Sequence, residues 1–227
     1  MADDGVMGTT KSNYDKDIED LFTGARLRSY AKNQLIHYQG DPLSHIYLVK
    51  KGFLKAYTIL DSGDTRTIML LSPGDVFPIA FSGSMEWSAY KLRHFYQTLS
   101  PVELEEIQME QLTDRIDHDS RQMHTYMTYL AASNQALLNQ LEVMKSKKAI
   151  NKVELLLPYL ILKIGSKVAP STYRLKLKLS HQEIADLSGV TRETASTLIK
   201  QLENEKVLEQ KRGTWLIRIK DGENLFA

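Results

Sequence analysis

The chain contains no cysteine, which excludes disulfide staples, cysteine-ligated zinc and cysteine-bound iron–sulfur clusters within its 227 residues. It has no run approaching the ~18 consecutive apolar residues of a membrane span, and Met1–Lys11 lacks the apolar stretch of a secretory signal. A cytoplasmic chain without a membrane partner is therefore expected. No stretch matches a nucleophile elbow, a phosphate loop or a zinc-protease helix, so no enzyme is expected. The histidines, His37, His45, His94, His118, His124 and His181, are too scattered for a tight metal site. His118 and His124 share one expected helix but lie six residues apart, which points them to different faces, and no metal is expected.

What is present suits a globular chain. Hydrophobic residues make up 42% and charged residues 25%, a balance that argues against disorder. The length suggests two domains at roughly 100–200 residues each. The net charge of +1 conceals an asymmetry. Residues 1–144 carry 13 Lys and Arg against 19 Asp and Glu, a net −6, whereas residues 145–227 carry 16 against 9, a net +7. Such a split suits a protein whose second part alone meets phosphates, although solvated basic faces also produce it.

The first part is punctuated by Gly40, Gly52, Gly63 and Gly74, at spacings of 12, 11 and 11. Between them lie β-rich runs, Gln34–Tyr38, His45–Val49, Phe53–Leu60 and Thr65–Leu71, and further strands are predicted within Ser88–Thr98 and Val102–Gln108. Short strands at this spacing predict an antiparallel roll with glycine where the turns need positive φ. From Ile116 the period changes to seven. Ile116, Ser120, Met123, Met127, Leu130, Asn134, Leu137, Leu141 and Met144 alternate four and three apart, the a/d seam of a coiled coil. This predicts a dimer helix with Met123, Met127, Leu130, Asn134, Leu137 and Leu141 in the interface, Asn134 fixing register. Packing of the same helix on its own domain is the other reading, and Tyr126, Tyr129 and Leu138 would allow contact with the roll.

A core helix follows over Lys147–Ile164, with a kink expected at Pro158. Gly165–Thr172 is expected as a loop and Tyr173–Leu179 as a half-buried strand. Ser180 and Glu183 then have the spacing of a capping box, and Ser188-Gly189 can end the helix they start. Thr191 can cap a second helix to about Glu205, completing a helix-turn-helix. Arg192, Glu193, Ser196, Thr197 and Lys200 share the outer side of that helix, where arginine suits guanine, glutamate suits cytosine and hydroxyls suit base edges or phosphate. A solvated helical face would carry the same residues. The hairpin expected over Lys206–Ile219, with Lys211-Arg212-Gly213 at its tip, tilts the balance toward DNA, because a basic wing suits phosphate.

The roll glycines, the long helix and the run Ser180-His-Gln-Glu-Ile-Ala-Asp-Leu-Ser-Gly-Val-Thr-Arg-Glu-Thr194 together resemble the CRP/FNR family of bacterial transcription regulators. The resemblance implies an α+β chain: a β-roll sensor domain with an N-terminal helix over 1–115, a dimerisation helix over 116–145 and a winged helix-turn-helix over 146–227. It implies a homodimer on a palindromic double-stranded DNA site, with RNA polymerase as a further partner if the regulator activates. In the cyclic-AMP receptor branch, residues matching Arg192 and Glu193 contact bases. An arginine usual one turn later is Thr197 here, so the half-site should differ at that base pair. Thr191, Ser196, Lys200, Lys211 and Arg212 complete the expected DNA contacts.

Cyclic-nucleotide binders of the family carry Gly-Glu for the ribose and Arg-Ser-Ala for the phosphate. Here Pro78 and Ile79 stand at the first pair and Trp87 at the arginine, with Ser88 and Ala89 unchanged. A phosphate buried against an indole would lack a cation, so cyclic AMP is not expected and no cofactor is assigned. Phe77, Ile79, Phe81, Trp87 and Tyr90 either fill the old pocket as core, line a site for an apolar effector, or serve another ligand or a protein partner. An effector site would include Phe77, Ile79, Trp87, Ser88 and Asn134. A small-molecule sensor whose DNA binding is only non-specific is the competing expectation.

Overall fold

The computed structural model describes residues 13–78, 91–211 and 213–219, with the backbone alone for 13–16, 135, 136 and 139–145. A helix, α1 (Asn13–Leu21), precedes eight strands: β1 (Arg26–Tyr30), β2 (Leu35–His37), β3 (His45–Lys51), β4 (Leu54–Ile59), β5 (Thr65–Leu71), β6 (Val76–Phe77), β7 (Phe95–Thr98) and β8 (Val102–Gln108). They form two antiparallel sheets, in the orders β1-β8-β3-β6 and β2-β7-β4-β5. One apolar cluster draws Tyr47, Val49, Phe77 and Leu104 from the first sheet and Leu54, Ala56, Leu71 and Tyr96 from the second, so the sheets close face to face.

Strand β3 shows how the sequence builds this. Its His-Ile-Tyr-Leu-Val run is almost unbroken in hydrophobicity because both faces are covered. Tyr47 and Val49 enter the roll interior, while Ile46 and Leu48 join a second cluster with Ile18, Leu21, Leu112 and Tyr126. The four glycines that punctuate the roll all have positive φ, from 84° to 96°. At Gly52 a Cβ would also lie 2.2 Å from the Pro101 carbonyl oxygen, so the β3–β4 turn tolerates no side chain there.

The helical region departs from expectation at Asp119. Helix α2 (Met109–His118) ends there, and Asp119 adopts φ −131° and ψ 107° before α3 (Ser120–Lys145) begins. Its carboxylate accepts from Arg121 N at 2.8 Å and Gln122 N at 3.2 Å, an N-cap that restarts the helix. Ile116 is thus buried in the roll's helical layer and does not extend the seam. On α3, Tyr126 and Tyr129 face the roll, and the Tyr129 hydroxyl accepts from Val76 N at 2.7 Å. Leu138, grouped with them on sequence grounds, is instead 47% exposed.

The chain continues through α4 (Ala149–Ile164), which includes Pro158, then β9 (Gly165–Ala169), β10 (Thr172–Leu175), α5 (His181–Ser188), α6 (Arg192–Asn204), β11 (Leu208–Lys211) and β12 (Thr214–Arg218). The third sheet has the order β11-β12-β10-β9. The loop expected over Gly165–Thr172 is largely strand β9, recruited by the free edge of β10 rather than by its own composition. The strand expected to reach Leu179 leaves the sheet after Leu175, although Leu177 and Leu179 stay buried. One core joins α4, α5, α6 and the wing, and it includes Leu70 and Leu99 of the roll. Burial of each such leucine contributes about 1.5–3 kcal/mol.

Candidate nucleic-acid interface

Helix α5 starts as its sequence requires. Ser180 Oγ accepts from Glu183 N at 3.2 Å while the Glu183 carboxylate accepts from Ser180 N, closing the capping box. Gly189 ends it in the left-handed region, φ 69° and ψ 38°, where a Cβ would be strained. Thr191 then caps α6, its hydroxyl oxygen accepting from Thr194 N at 3.2 Å. The cap leaves Thr191 exposed but commits its oxygen to the helix end.

Ala195, Ile199 and Leu202 form the buried stripe of α6, so the opposite side faces out. Arg192, Glu193, Thr197 and Lys200 are all exposed on it. Ser196, expected among them, is half-buried and turned inward. Its hydroxyl donates to the Arg192 carbonyl at 2.8 Å and lies 2.9 Å from His181 Nδ1. With the serine proton on the carbonyl, the imidazole donates from Nδ1, and no free hydroxyl is left for a base. Thr197 Oγ1 likewise donates to the Glu193 carbonyl at 3.0 Å, so toward a ligand it acts as an acceptor.

His181 is the residue that sequence inspection passes over as a mere helix start. Besides touching Ser196, its ring lies 6.3 Å from that of Trp215, so one imidazole links α5, α6 and the wing. The signal was the pairing of a first-turn histidine with a small hydroxyl on the next helix, which no local rule marks. Lys176 and Lys178 are exposed between the buried Leu175, Leu177 and Leu179, and add cations just before α5. On the wing, Leu208 pairs with Ile217 and Lys211 is exposed, while Arg212 lies outside the described residues.

Of the expected effector residues, the described part of the structure includes Phe77 and Asn134. Phe77 is fully buried and stacks between Tyr47 and Tyr96, 5.2 Å from each ring at 20° and 24°. Tyr47 donates to Glu106 Oε1 at 3.2 Å, and the other oxygen of Glu106 accepts from Arg28 Nε at 2.9 Å. Burial would raise the Glu106 carboxyl, but the hydrogen bonds from Arg28 and Tyr47 hold it below its ordinary range. Asn134 is exposed on α3, and Ile79, Trp87 and Ser88, with Phe81 and Tyr90, lie outside the described residues. Among the described residues, no three metal-ligating side chains cluster, and no helix is long and apolar enough to cross a membrane.

Residues 27–119 match the cyclic nucleotide-binding domain family, and residues 156–227 match the Crp-like helix-turn-helix domain family. The chain belongs to the CRP/FNR family of transcription regulators. This CRP/FNR protein is similar to the cyclic AMP receptor protein of Thermus thermophilus, at 27% identity over 84% of this chain and 83% of the relative. It is also similar to the global nitrogen regulator of Nostoc sp., at 25% identity over 80% of each. In fold it resembles FixK2 from Bradyrhizobium japonicum, with a TM-score of 0.71, 19% identity and coverage of 86% of this chain and 92% of the other. A cyclic nucleotide-binding domain containing protein from Listeria monocytogenes superposes with a TM-score of 0.73 at 17% identity, covering 92% and 99%. The CRP/FNR protein is thus a DNA-binding regulator of transcription and not an enzyme.

Proposed function

We propose that this regulator binds a two-fold symmetric DNA site as a homodimer, reading each half-site with Arg192 and Glu193 and holding phosphate with Lys200, Lys211 and Arg212. The observation that carries this is the outer face of α6: Arg192, Glu193, Thr197 and Lys200 are exposed on a helix whose cap and buried stripe fix it in place. Thr191, Ser196 and Thr197 take a lesser part, since each oxygen already serves the helix. A guanine contact from Arg192 contributes about 1–3 kcal/mol of discrimination.

The dimer half of the proposal rests on α3. Met127 is 48% exposed, Asn134 is exposed, and Met123, Leu130 and Leu137 are only half-buried in the single chain. That stripe, which the heptad spacing of the sequence extends to Leu141, suits a second copy of α3. A dimer on this axis presents its two α6 helices to successive major grooves ~34–36 Å apart. The effector, if the regulator uses one, is not a cyclic nucleotide, and RNA polymerase is the further partner when the bound protein activates.

Selection of genomic fragments with the full chain, followed by sequencing, should return a palindromic motif. Replacing Arg192 and Glu193 together by alanine should abolish the enrichment while leaving salt-sensitive, sequence-blind binding in place. Unchanged enrichment in that double variant overturns the assignment of the readers. A monomer in sedimentation, or a motif without symmetry, overturns the dimer.

A further inference from the structure

The segment Thr65–Phe77 of the roll touches α5, α4 and α3 in turn. Thr65 Oγ1 donates to Asp186 Oδ2 of α5 at 2.9 Å. Arg66 lies over the turn between α5 and α6, so close that a Cβ on Gly189 would stand 1.7 Å from its Nη1. Leu70 N donates to the Tyr159 hydroxyl of α4 at 2.7 Å. Asp75 accepts from Lys163 of α4 on both oxygens, at 2.8 and 2.9 Å. Val76 is bonded through both its N–H and its carbonyl to the Tyr129 hydroxyl of α3. Phe77 ends the track in the aromatic stack of the roll interior.

Asp75 is the fixed point of this track. Its carboxylate also accepts from Ser72 N at 2.7 Å and Ser72 Oγ at 3.0 Å, and its carbonyl accepts from Val49 N at 2.9 Å. The side chains of Asp75 and Lys163 are only 18% and 20% exposed, so this ion pair is screened little by solvent. A carboxylate fixed by both donors of Ser72 has one orientation, and a lysine bound to both of its oxygens inherits it. Lys163 sits in the last turn of α4, one residue before Ile164 enters the core shared with α5 and α6.

We propose that Asp75 and Lys163 are positioning residues for DNA recognition: the pair sets the orientation in which the roll presents α5 and α6, independently of the long helix. Movement of Asp75–Phe77 is then felt at Lys163 and at Tyr129 together, so the roll interior reaches the DNA-reading unit by a direct contact within one chain. The inference rests on the DNA-binding reading only for the use to which that orientation is put.

The absence of native cysteine makes the test direct. Tyr38→Cys and Gln201→Cys, both at exposed positions, place one spin label on the roll and one on α6, and dilution into excess unlabelled chain confines the pair to one protomer. The expected result is a single narrow distance that broadens in Lys163→Met and in Asp75→Asn and stays narrow in Lys163→Arg, whose guanidinium can bind both oxygens. Leu21→Ala, which weakens the roll's outer core but leaves both partners of the ion pair in place, should stay narrow and so separates positioning from general loss of stability. In unlabelled protein, Lys163→Met should lose roughly tenfold in affinity for the selected site and nothing in sequence-blind binding. A distance distribution unchanged in Lys163→Met, or broadened no more than in Leu21→Ala, overturns the proposal, as does broadening with unaltered specific affinity. If the parent chain selects no DNA sequence, the DNA-binding reading fails while the distance measurement still decides whether the pair holds the two units.

Discussion

Two helices separated by a three-residue turn, α5 of eight residues and α6 of thirteen, divide one task unequally. In α5 five successive residues, Ile184–Ser188, are buried, including two polar ones. Asp186 is satisfied by Thr65 and Gln182, and Ser188 donates to the Ile184 carbonyl at 2.7 Å. In α6 burial is confined to Ala195, Ile199 and Leu202, and the charged residues of the outer face remain in water. A helix enclosed on most sides has no face left for a ligand, whereas a helix held along one stripe has nearly all of it. On the proposed reading, the first is a mount and the second a reader. Substitutions in α5 should therefore appear as stability and those on the outside of α6 as affinity.

The largest effect expected from this contrast is at Ile184, which is 1% exposed. Ile184→Ala should lower unfolding free energy by about 2–5 kcal/mol, read as a shifted urea midpoint. Arg192→Ala is its counterpart. It should change stability by no more than about 0.5 kcal/mol and cost about 1–3 kcal/mol in binding to the preferred site, measured by titration at fixed salt. If instead the Ile184 variant keeps its stability, or the Arg192 variant loses it, the division between mount and reader is wrong.

Smaller effects test the joints. Gly189→Ala places a side chain at φ 69°, with Arg66 obliged to move aside, and should cost about 1–2 kcal/mol in thermal unfolding. Ser180→Ala removes one half of the capping box and should cost about 1 kcal/mol, with hydrogen exchange rising first in the opening turn of α5. The smallest concerns the roll. Burial lowers the His37 imidazole below its ordinary value, against the pull of Asp41. The unfolded chain takes up this proton as pH falls through about 6.5 while the folded chain resists it, so stability is full above that pH and declines below it. The drop in urea midpoint between about pH 7.5 and about pH 5.5 should shrink in His37→Asn, and an unaltered drop would remove His37 as its source.

Legibility in the sequence followed the range of the interaction. Ser180, Glu183, Gly189 and Thr191 act on neighbours within four residues, and each does what its spacing announces. The roll glycines and Val102–Gln108 are local in the same sense. The break at Asp119 was hidden because a seven-residue repeat runs smoothly across it, and only the roll's demand for Ile116 interrupts the helix. Strand β9 has no apolar alternation and exists because β10 offers an edge. The inward turn of Ser196 depends on His181, fifteen residues away, and the contacts of Thr65–Asp75 with α4 and α5 span up to 121. No periodicity within either segment could have indicated them.

Leu70 and Leu99 lie in the same apolar cluster as Leu160, Ile184 and Trp215. Because that cluster belongs to neither half alone, heating should melt the roll and the winged unit in a single cooperative transition instead of two. A fragment cut at the end of α3 would carry the exposed underside of α4 into solvent and associate through it.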